Sequence, residues 1–265
     1  PIEPFTTVRI FNTNTNKIIH VTYPVRDGIV LSEGSYSIPG VPGTGAKLKV
    51  EFFNPAGAIT GKLLPTGNTK DYIDLGEKGV YTVSIVDAGT PVVFTLADEL
   101  GLAGTEKPNE VDMLPEKLDL LEEIRSIAAE MIGIVTNRDL ATTNSPAYPK
   151  VCFVSTPKDY INTEGDLVKA EDIDLLARIA SMQKIHKAYA VTGAICTGAA
   201  SKIKGTIVND VISNRARNND TLIIGQPYGP MEVTIDIKDD KIIKEGVFRT
   251  ARKILDGIVY IPFTK

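Results

Sequence analysis

The chain has 265 residues, a formal net charge of −4, two cysteines and two histidines. Lysines and arginines are scattered, so no basic stripe could neutralise phosphates, and a general nucleic-acid binder is excluded. The few cysteines and histidines exclude a disulfide framework, a zinc site and a His-rich metal site, and they predict a reducing, cytoplasmic environment. No apolar run approaches the ~18 residues that would span a membrane.

Residues 6–94 read as β-strands separated by turns. Strands are predicted at 7–12, 18–23, 28–31, 36–38, 48–53 and 80–86, each bounded by Gly, Pro or Asn. No segment in this region has a 3.6-residue period over a helical length. Because a sheet buries at least one face against another layer, this region predicts a sheet whose second layer comes from elsewhere.

Helices are predicted only in the second half of the chain. Residues 115–133 have helical spacing with Pro115 near the start, and residues 171–182 are predicted as a second helix. Between them, residues 151–154 form a short apolar strand, and residues 137–149 form a flexible loop. Further strands are predicted at 221–224, 231–237, 241–248 and 257–262, with a hairpin turn at Asp239-Asp240.

The segment from Thr192 to Ser201, TGAICTGAAS, is a helix start with little side-chain bulk. Thr192 could cap the helix, and the backbone N–H groups that follow could hold a carboxylate or phosphate. Small residues on every side suit a helix that is tightly enclosed, for instance by a curled sheet. A close-packed helix without any ligand is the alternative.

Two glycine-rich segments resemble nucleotide loops without meeting the requirements. Only three residues separate Gly57 from Gly61, and Leu63 follows Lys62 where a P-loop needs Ser or Thr. Pro65 also blocks the helix that would hold the phosphates. Residues 40–46, GVPGTGA, lack a following helix, and a tight connection between two strands is favoured over a site.

Four charged or titratable residues are further candidates. His186 is a candidate base, but the chain has no GxSxG motif, and a packed or hydrogen-bonded role is favoured. Asp87 ends a strand and enters a turn, where it caps the turn or points into a cleft. Arg249 and Arg252 could bind carboxylates in a bidentate manner, with ordinary surface charges as the default.

Taken together, these segments resemble the methylaconitate isomerase (PrpF) family, in particular its methylitaconate Δ-isomerase branch. The motifs are GVPGTGA at Gly40, AGAITGKLLPTGN at Ala56, DAGTP at Asp87, HKAYAVTGAICTGAASKIKGT at His186 and RTARKILDG at Arg249. They extend over essentially the whole chain in the family's order. The resemblance implies an α+β, diaminopimelate epimerase-like fold with two lobes of curled, mostly antiparallel sheet around central helices.

The resemblance also implies a chemistry. The family isomerises small unsaturated di- and tricarboxylates without a cofactor or metal, by allylic proton transfer through a dienolate. The substrate would bind at a set of residues in the cleft: Thr192, Gly193, Ala194, His186, Thr66, Gly67, Asn68, Asp87 and Arg252. Epimerases of this fold carry a thiol where this chain has Ala190, so a two-thiol epimerase or racemase is excluded, and Cys196 lies too far into the helix to replace it.

The resemblance divides the chain into lobes. Residues 1–79 would be the remnant of a first lobe, residues 80–245 the second lobe with its helix near 192–203, and residues 246–265 a final strand that crosses back. Relatives carry an upstream segment with the proton-transfer groups, and this chain opens with Pro1, so an N-terminally truncated chain with negligible activity alone is expected. A non-catalytic carboxylate binder and a structural β-rich module are the alternatives, and a homo-oligomer stays open.

Overall fold

The computed structural model describes residues 1–252 and 254–261. Its strands are β1 (Phe5–Asn12), β2 (Lys17–Arg26), β3 (Ile29–Val30), β4 (Leu48–Phe53), β5 (Asp71–Asp74), β6 (Val80–Ala88), β7 (Thr90–Leu96), β8 (Lys150–Ser155), β9 (Tyr160–Ile161), β10 (Leu167–Val168), β11 (Leu175–Ser181), β12 (Lys184–Ile185), β13 (Thr221–Gln226), β14 (Gly229–Lys238) and β15 (Lys241–Arg249). Its helices are α1 (Pro108–Asp112), α2 (Pro115–Met131), α3 (Ala141–Asn144), α4 (Val191–Lys202), α5 (Ile207–Val211) and α6 (Asn214–Asn218).

One large, mostly antiparallel sheet organises the chain. Its strand order is β1-β2-β4-β15-β14-β13-β11-β8-β7-β6-β5, and the pairs β7–β8 and β11–β13 are parallel. The late strand β15 lies between β14 and the early strand β4, so that Val247 pairs with Val233 on one side and with Val50 on the other. The early and late parts of the chain therefore share one continuous sheet.

Helix α4 is enclosed by this sheet, as its small residues predict. Every residue from Gly193 to Ser201 is buried, and the helix packs on β6, β7, β13, β14 and β15. A Cβ atom at Gly193 would lie 2.6 Å from Ile179 Cδ1, and one at Gly198 would lie 2.4 Å from Glu245 Oε1. Real Cβ atoms do not approach other atoms this closely, so a larger residue at either position would force the Ile179 or Glu245 side chain to move.

Helix α2 covers the opposite face of the sheet. Its buried residues Leu121, Ile124 and Ala128 join a core cluster with Ile85 and Phe153 from the strands below. Pro115 is the first residue of α2, and Gly133 just beyond its end has a φ of +72°. The predicted helix and its limits are confirmed.

The predicted helix at 171–182 is wrong, because this segment contains strand β11. The residues that suggested a helical face, Ile173, Leu176 and Ile179, are all buried, but so are their neighbours Leu175 and Ala177. One face of the strand packs against α4, and the opposite face is covered by a second cluster of buried apolar residues. A strand of this kind is apolar throughout, and its spacing can imitate a helix.

Three shorter predictions also differ from the structure. Tyr36 forms a single bridge with Gly45 instead of a strand at 36–38. The predicted loop at 137–149 contains a 3-10 turn and α3. The predicted strand at 257–262 is absent from its described part, 257–261, where the chain is exposed and extended without a partner strand; residues 253 and 262–265 lie outside the described residues.

Candidate active site

Helix α4 begins without a side-chain cap. Ala190 occupies the N-cap position in an extended conformation and has no side-chain oxygen to offer. The first backbone hydrogen bond of the helix runs from the Ala194 N–H to the Ala190 carbonyl oxygen, at 2.8 Å. The N–H groups of Val191, Thr192 and Gly193 precede that bond and have no acceptor within the helix. Donors of this kind, at the positive end of the helix dipole, can bind an anion.

The predicted capping by Thr192 is wrong. Thr192 is the second residue of α4, because the helix begins at Val191, and a capping residue needs non-helical backbone. Of the three predicted backbone donors, Thr192 and Gly193 lie ahead of the first intrahelical bond, whereas the Ala194 N–H is taken by that bond. The donor set therefore lies one residue earlier than the sequence indicates.

The turn between β6 and β7 packs against this helix start. Gly89 has a φ of +70°, and a Cβ atom there would lie 3.3 Å from Ile195 Cγ2. Asp87 at the end of β6 accepts hydrogen bonds through Oδ2 from the N–H groups of Ile59 and Thr60, at 2.9 and 2.7 Å. Asp87 thus holds the 54–61 loop beside α4. Because the N–H groups of Ile59 and Thr60 are bonded to Asp87, they are not available to bind a phosphate.

Two oxygens in this turn are buried and unpartnered. Asp87 Oδ1 and Thr90 Oγ1 have no hydrogen-bond partner among the described residues, and both side chains are at most 2% exposed. Buried polar atoms are nearly always paired with protein, water or ligand. The start of α4 is therefore flanked by polar groups that a bound water or ligand could satisfy.

A cavity of about 310 Å³ lies at the same end of α4. Ala188 and Tyr189, which directly precede the N-cap, line it together with residues from β14, the end of β15 and the 36–41 segment. Arg249 lines this cavity from the end of β15 and makes no ion pair among the described residues; its Nη1 donates to the Phe248 carbonyl oxygen at 3.0 Å. Burial lowers the pKa of the Arg249 guanidinium, so an anionic ligand would compensate a partly desolvated charge.

The 36–41 segment closes one side of the cavity. Tyr36 and Gly45 exchange backbone hydrogen bonds of 3.1 and 3.0 Å, and the Lys47 ammonium lies 3.6 Å from the centroid of the Phe248 ring. Gly40 has a φ of +80° and approaches the Tyr228 ring so closely that a Cβ atom would lie 2.6 Å from Tyr228 Cγ. The glycine-rich stretch is thus a tight connection, as favoured from the sequence, and it also lines the cavity.

Tyr189 connects the cavity wall to the helix through a buried chain of hydrogen bonds. Its hydroxyl lies 3.1 Å from Cys152 Sγ and 2.9 Å from Thr197 Oγ1, and Thr197 donates to the Gly193 carbonyl oxygen at 2.8 Å. Burial raises the pKa of the Cys152 thiol to about 12, and burial also raises that of Cys196 well above its ordinary value. Neither thiol is ionised near neutral pH, so neither is suited to remove a proton.

The structure separates the other predicted site residues. The Thr66 hydroxyl and the Asn68 amide both donate to the Asp71 carboxylate, at 2.6 and 2.7 Å, in the loop that also holds Gly67. His186 Nδ1 accepts from the Ala188 N–H at 3.2 Å. Desolvation and the nearby Lys150 charge lower the pKa of His186, so its ring is neutral at pH 7.

Arg252 lies beside a second cavity of about 300 Å³. Gly43, Thr44 and Gly45 line that cavity on the other side, and it shares Val41 and Thr250 with the first cavity.

Three residues that line the first cavity, Tyr36, Tyr189 and Glu232, were not among the predicted site residues. The RTAR motif was the available signal for Arg249, and Tyr189 lies within the HKAYAVTG motif, whereas no local pattern marks Tyr36 or Glu232.

The fold closely matches a solved isomerase. The structure superimposes on the crystal structure of methylitaconate-delta-isomerase with a TM-score of 0.90 at 41% identity, covering 98% of this chain and 67% of that one. The predicted α+β fold, a curled and mostly antiparallel sheet around a central helix, is confirmed. No helix among the described residues is long and apolar enough to cross a membrane.

Curated relatives agree with this match. The chain is 41% identical to 3-methylitaconate isomerase from Eubacterium barkeri over 265 residues, which is 100% of this chain and 69% of that protein. It is 33% identical to 2-methyl-aconitate isomerase from Shewanella oneidensis over 263 residues, 97% of this chain and 66% of that protein. The fold and these similarities define the chain as an isomerase. Residues 1–262 match the family model described as PrpF protein, and the chain belongs to the PrpF family.

Proposed function

We propose that this chain supplies the carboxylate-binding half of the cleft in an isomerase of small unsaturated di- or tricarboxylates, of the methylitaconate or methylaconitate kind, that acts without a cofactor. The observation that carries the proposal is the uncapped start of α4 beside a cavity that Arg249 lines. Both features supply donors for a carboxylate, and they lie at the same end of the curled sheet. The relatives named above act on substrates of this class.

The proposed reaction moves one proton within the substrate. A base removes a proton from the allylic carbon, and the electrons of that C–H bond form a new double bond as the charge spreads into a dienolate. A proton then returns to a different carbon, so the double bond has moved and nothing is oxidised or reduced. Negative charge develops on carboxylate oxygens, where the N–H groups of Val191, Thr192 and Gly193 and the Arg249 guanidinium could stabilise it.

The residues of this chain are assigned to binding and charge stabilisation. The cysteines have raised pKa values, and Ala190 at the helix N-cap carries no titratable group. The proposal includes the division into residues 1–79 as part of a first lobe and 80–245 as a second lobe. The pairing of Arg249 with Leu48 supports a chain that crosses between them at its end.

Replacing Arg249 by glutamine tests the binding half of this proposal. The affinity for 3-methylitaconate should fall roughly 10- to 100-fold, because a charged hydrogen bond in a partly desolvated site contributes about 1.5–3 kcal/mol. Isothermal titration calorimetry measures the change. Arg26→Gln is the matched control, since Arg26 is exposed at the end of β2, and this variant should bind like the wild type.

Deuterium exchange tests the catalytic half. In D₂O this chain alone should incorporate little deuterium into 3-methylitaconate at the positions that the dienolate joins, as followed by NMR, because none of its assigned residues is the base. Unchanged affinity in Arg249→Gln would contradict the placement of the site. Rapid deuterium incorporation would contradict the assignment of these residues to binding and charge stabilisation alone.

A further inference from the structure

The cavity beside α4 carries two opposite charges that do not form an ion pair with each other. Arg249 enters it from the end of β15 and Glu232 from β14, and neither makes a salt bridge within 4.0 Å to another described residue. Tyr36 lies near both of them: burial raises the pKa of its hydroxyl, the Glu232 carboxylate raises it further, and the Arg249 guanidinium opposes them. The Arg249 and Glu232 charges therefore both face this cavity without neutralising each other.

Apolar side chains make up much of the remaining wall, beside the polar groups of Gln226 and Thr250. The apolar lining residues include Ile38, Pro39, Val41, Met231 and Phe248. Such walls suit a methyl or methylene group, and they offer little to an additional charge. A ligand that fits these walls has a carboxylate toward Arg249, hydrocarbon in the middle, and no negative charge toward Glu232.

We propose that Glu232 makes this cavity selective for dicarboxylates over tricarboxylates. This inference rests on the proposed function, and it specifies how many carboxylates the preferred substrate carries. A third carboxylate near Glu232 would be repelled by a like charge, whereas a dicarboxylate can turn its apolar side toward that wall. Discrimination by an added repulsion of this kind is a common source of specificity. Because Glu232 is exposed, solvent screens the repulsion, and the effect should be roughly twofold to fivefold.

The test compares two ligands on three proteins. The wild type, Glu232→Gln and Asp236→Asn are titrated by calorimetry with 3-methylitaconate and with aconitate at constant ionic strength. Asp236 is an exposed carboxylate on the same strand, outside the cavity lining, so its variant controls for general charge. Matching thermal unfolding midpoints establish that all three proteins are folded.

The wild type should prefer the dicarboxylate, and Glu232→Gln should narrow that preference about twofold to fivefold by tightening tricarboxylate binding. Asp236→Asn should leave the preference unchanged. An unchanged ratio in Glu232→Gln, or a wild type that prefers aconitate, overturns the role of Glu232 and leaves the proposed function intact. A wild type that binds neither ligand overturns the proposed function itself, and the selectivity with it.

Discussion

Replacing Asp174 with alanine should lower the free energy of unfolding by about 3 kcal/mol, because it removes a buried carboxylate that accepts three hydrogen bonds and leaves partly buried donors without an acceptor. Asp174 is 1% exposed. Its Oδ1 accepts from the Ser213 hydroxyl at 2.5 Å and from Arg215 Nε at 3.0 Å, and its Oδ2 accepts from the Ile223 N–H at 2.7 Å. One carboxylate thus joins the start of β11 to β13 and to the cap of α6.

The measurement is the thermal unfolding midpoint, which should fall by roughly 6 to 12 °C. Asp172→Ala is the matched control, because Asp172 is an exposed carboxylate two positions earlier, and it should change the free energy by less than about 0.5 kcal/mol. Equal midpoints for Asp174→Ala and the wild type would show that the interactions of Asp174 contribute nothing net to stability.

The wild-type protein should lose stability as the pH rises, and Glu245→Gln should remove much of that dependence. Glu245 is 1% exposed, and neither of its carboxylate oxygens has a hydrogen-bond partner among the described residues. Burial raises the pKa of Glu245 well above its ordinary value. The Glu245 side chain faces Gly198 on α4. The Asp87 and Glu245 carboxylates both raise the pKa of the Cys196 thiol.

The direction follows from proton binding. Above the ordinary carboxyl pKa of about 4.3, the unfolded chain releases the proton that the folded protein still holds, so stability falls with rising pH until the raised pKa is passed. Between pH 5 and pH 8 the wild type should therefore lose free energy of unfolding that Glu245→Gln retains. Glutamine keeps the shape but cannot ionise, so Glu245→Gln should match the wild type near pH 5 and exceed it at pH 8.

Denaturant titrations at several pH values measure both curves. Asp236→Asn is again a suitable control, because its exposed carboxylate on the neighbouring strand β14 should leave the wild-type slope unchanged. A wild-type curve parallel to that of Glu245→Gln would mean that Glu245 is paired or hydrated in the folded protein.

The sequence predicted those elements whose signals are local. The α2 helix has one apolar face and a proline at its start, and Asp239 and Asp240 both have the positive φ values that a tight hairpin turn needs. The failure at β11 has a physical cause. A strand covered on both faces loses the polar alternation that distinguishes it from a helix. Even the charged residue Arg178 is buried there, donating to backbone carbonyl oxygens.

The candidate site was harder to predict because it is assembled from distant segments. The helix start could be read from the TGAICTGAAS run, although the true cap is Ala190. Glu232 and Arg249 come together through the pairing of β14 with β15, and Tyr36 joins them through its ring contact with Phe248; the contact with Tyr36 has no local signature. Only the resemblance connected the GVPGTGA and RTAR motifs, which now lie on opposite sides of one cavity.

The position of β15 also bears on how the chain reaches its native state. Lys244 on β15 binds Glu51 on β4 across a separation of 193 residues, and pairings of that range must close a very long loop before they contribute any free energy. During synthesis, β4 must wait for nearly the whole chain before its neighbour β15 exists. We expect the amide groups that bond β4 to β15 to become protected from hydrogen exchange last in refolding, after the local hairpins β1–β2 and β6–β7.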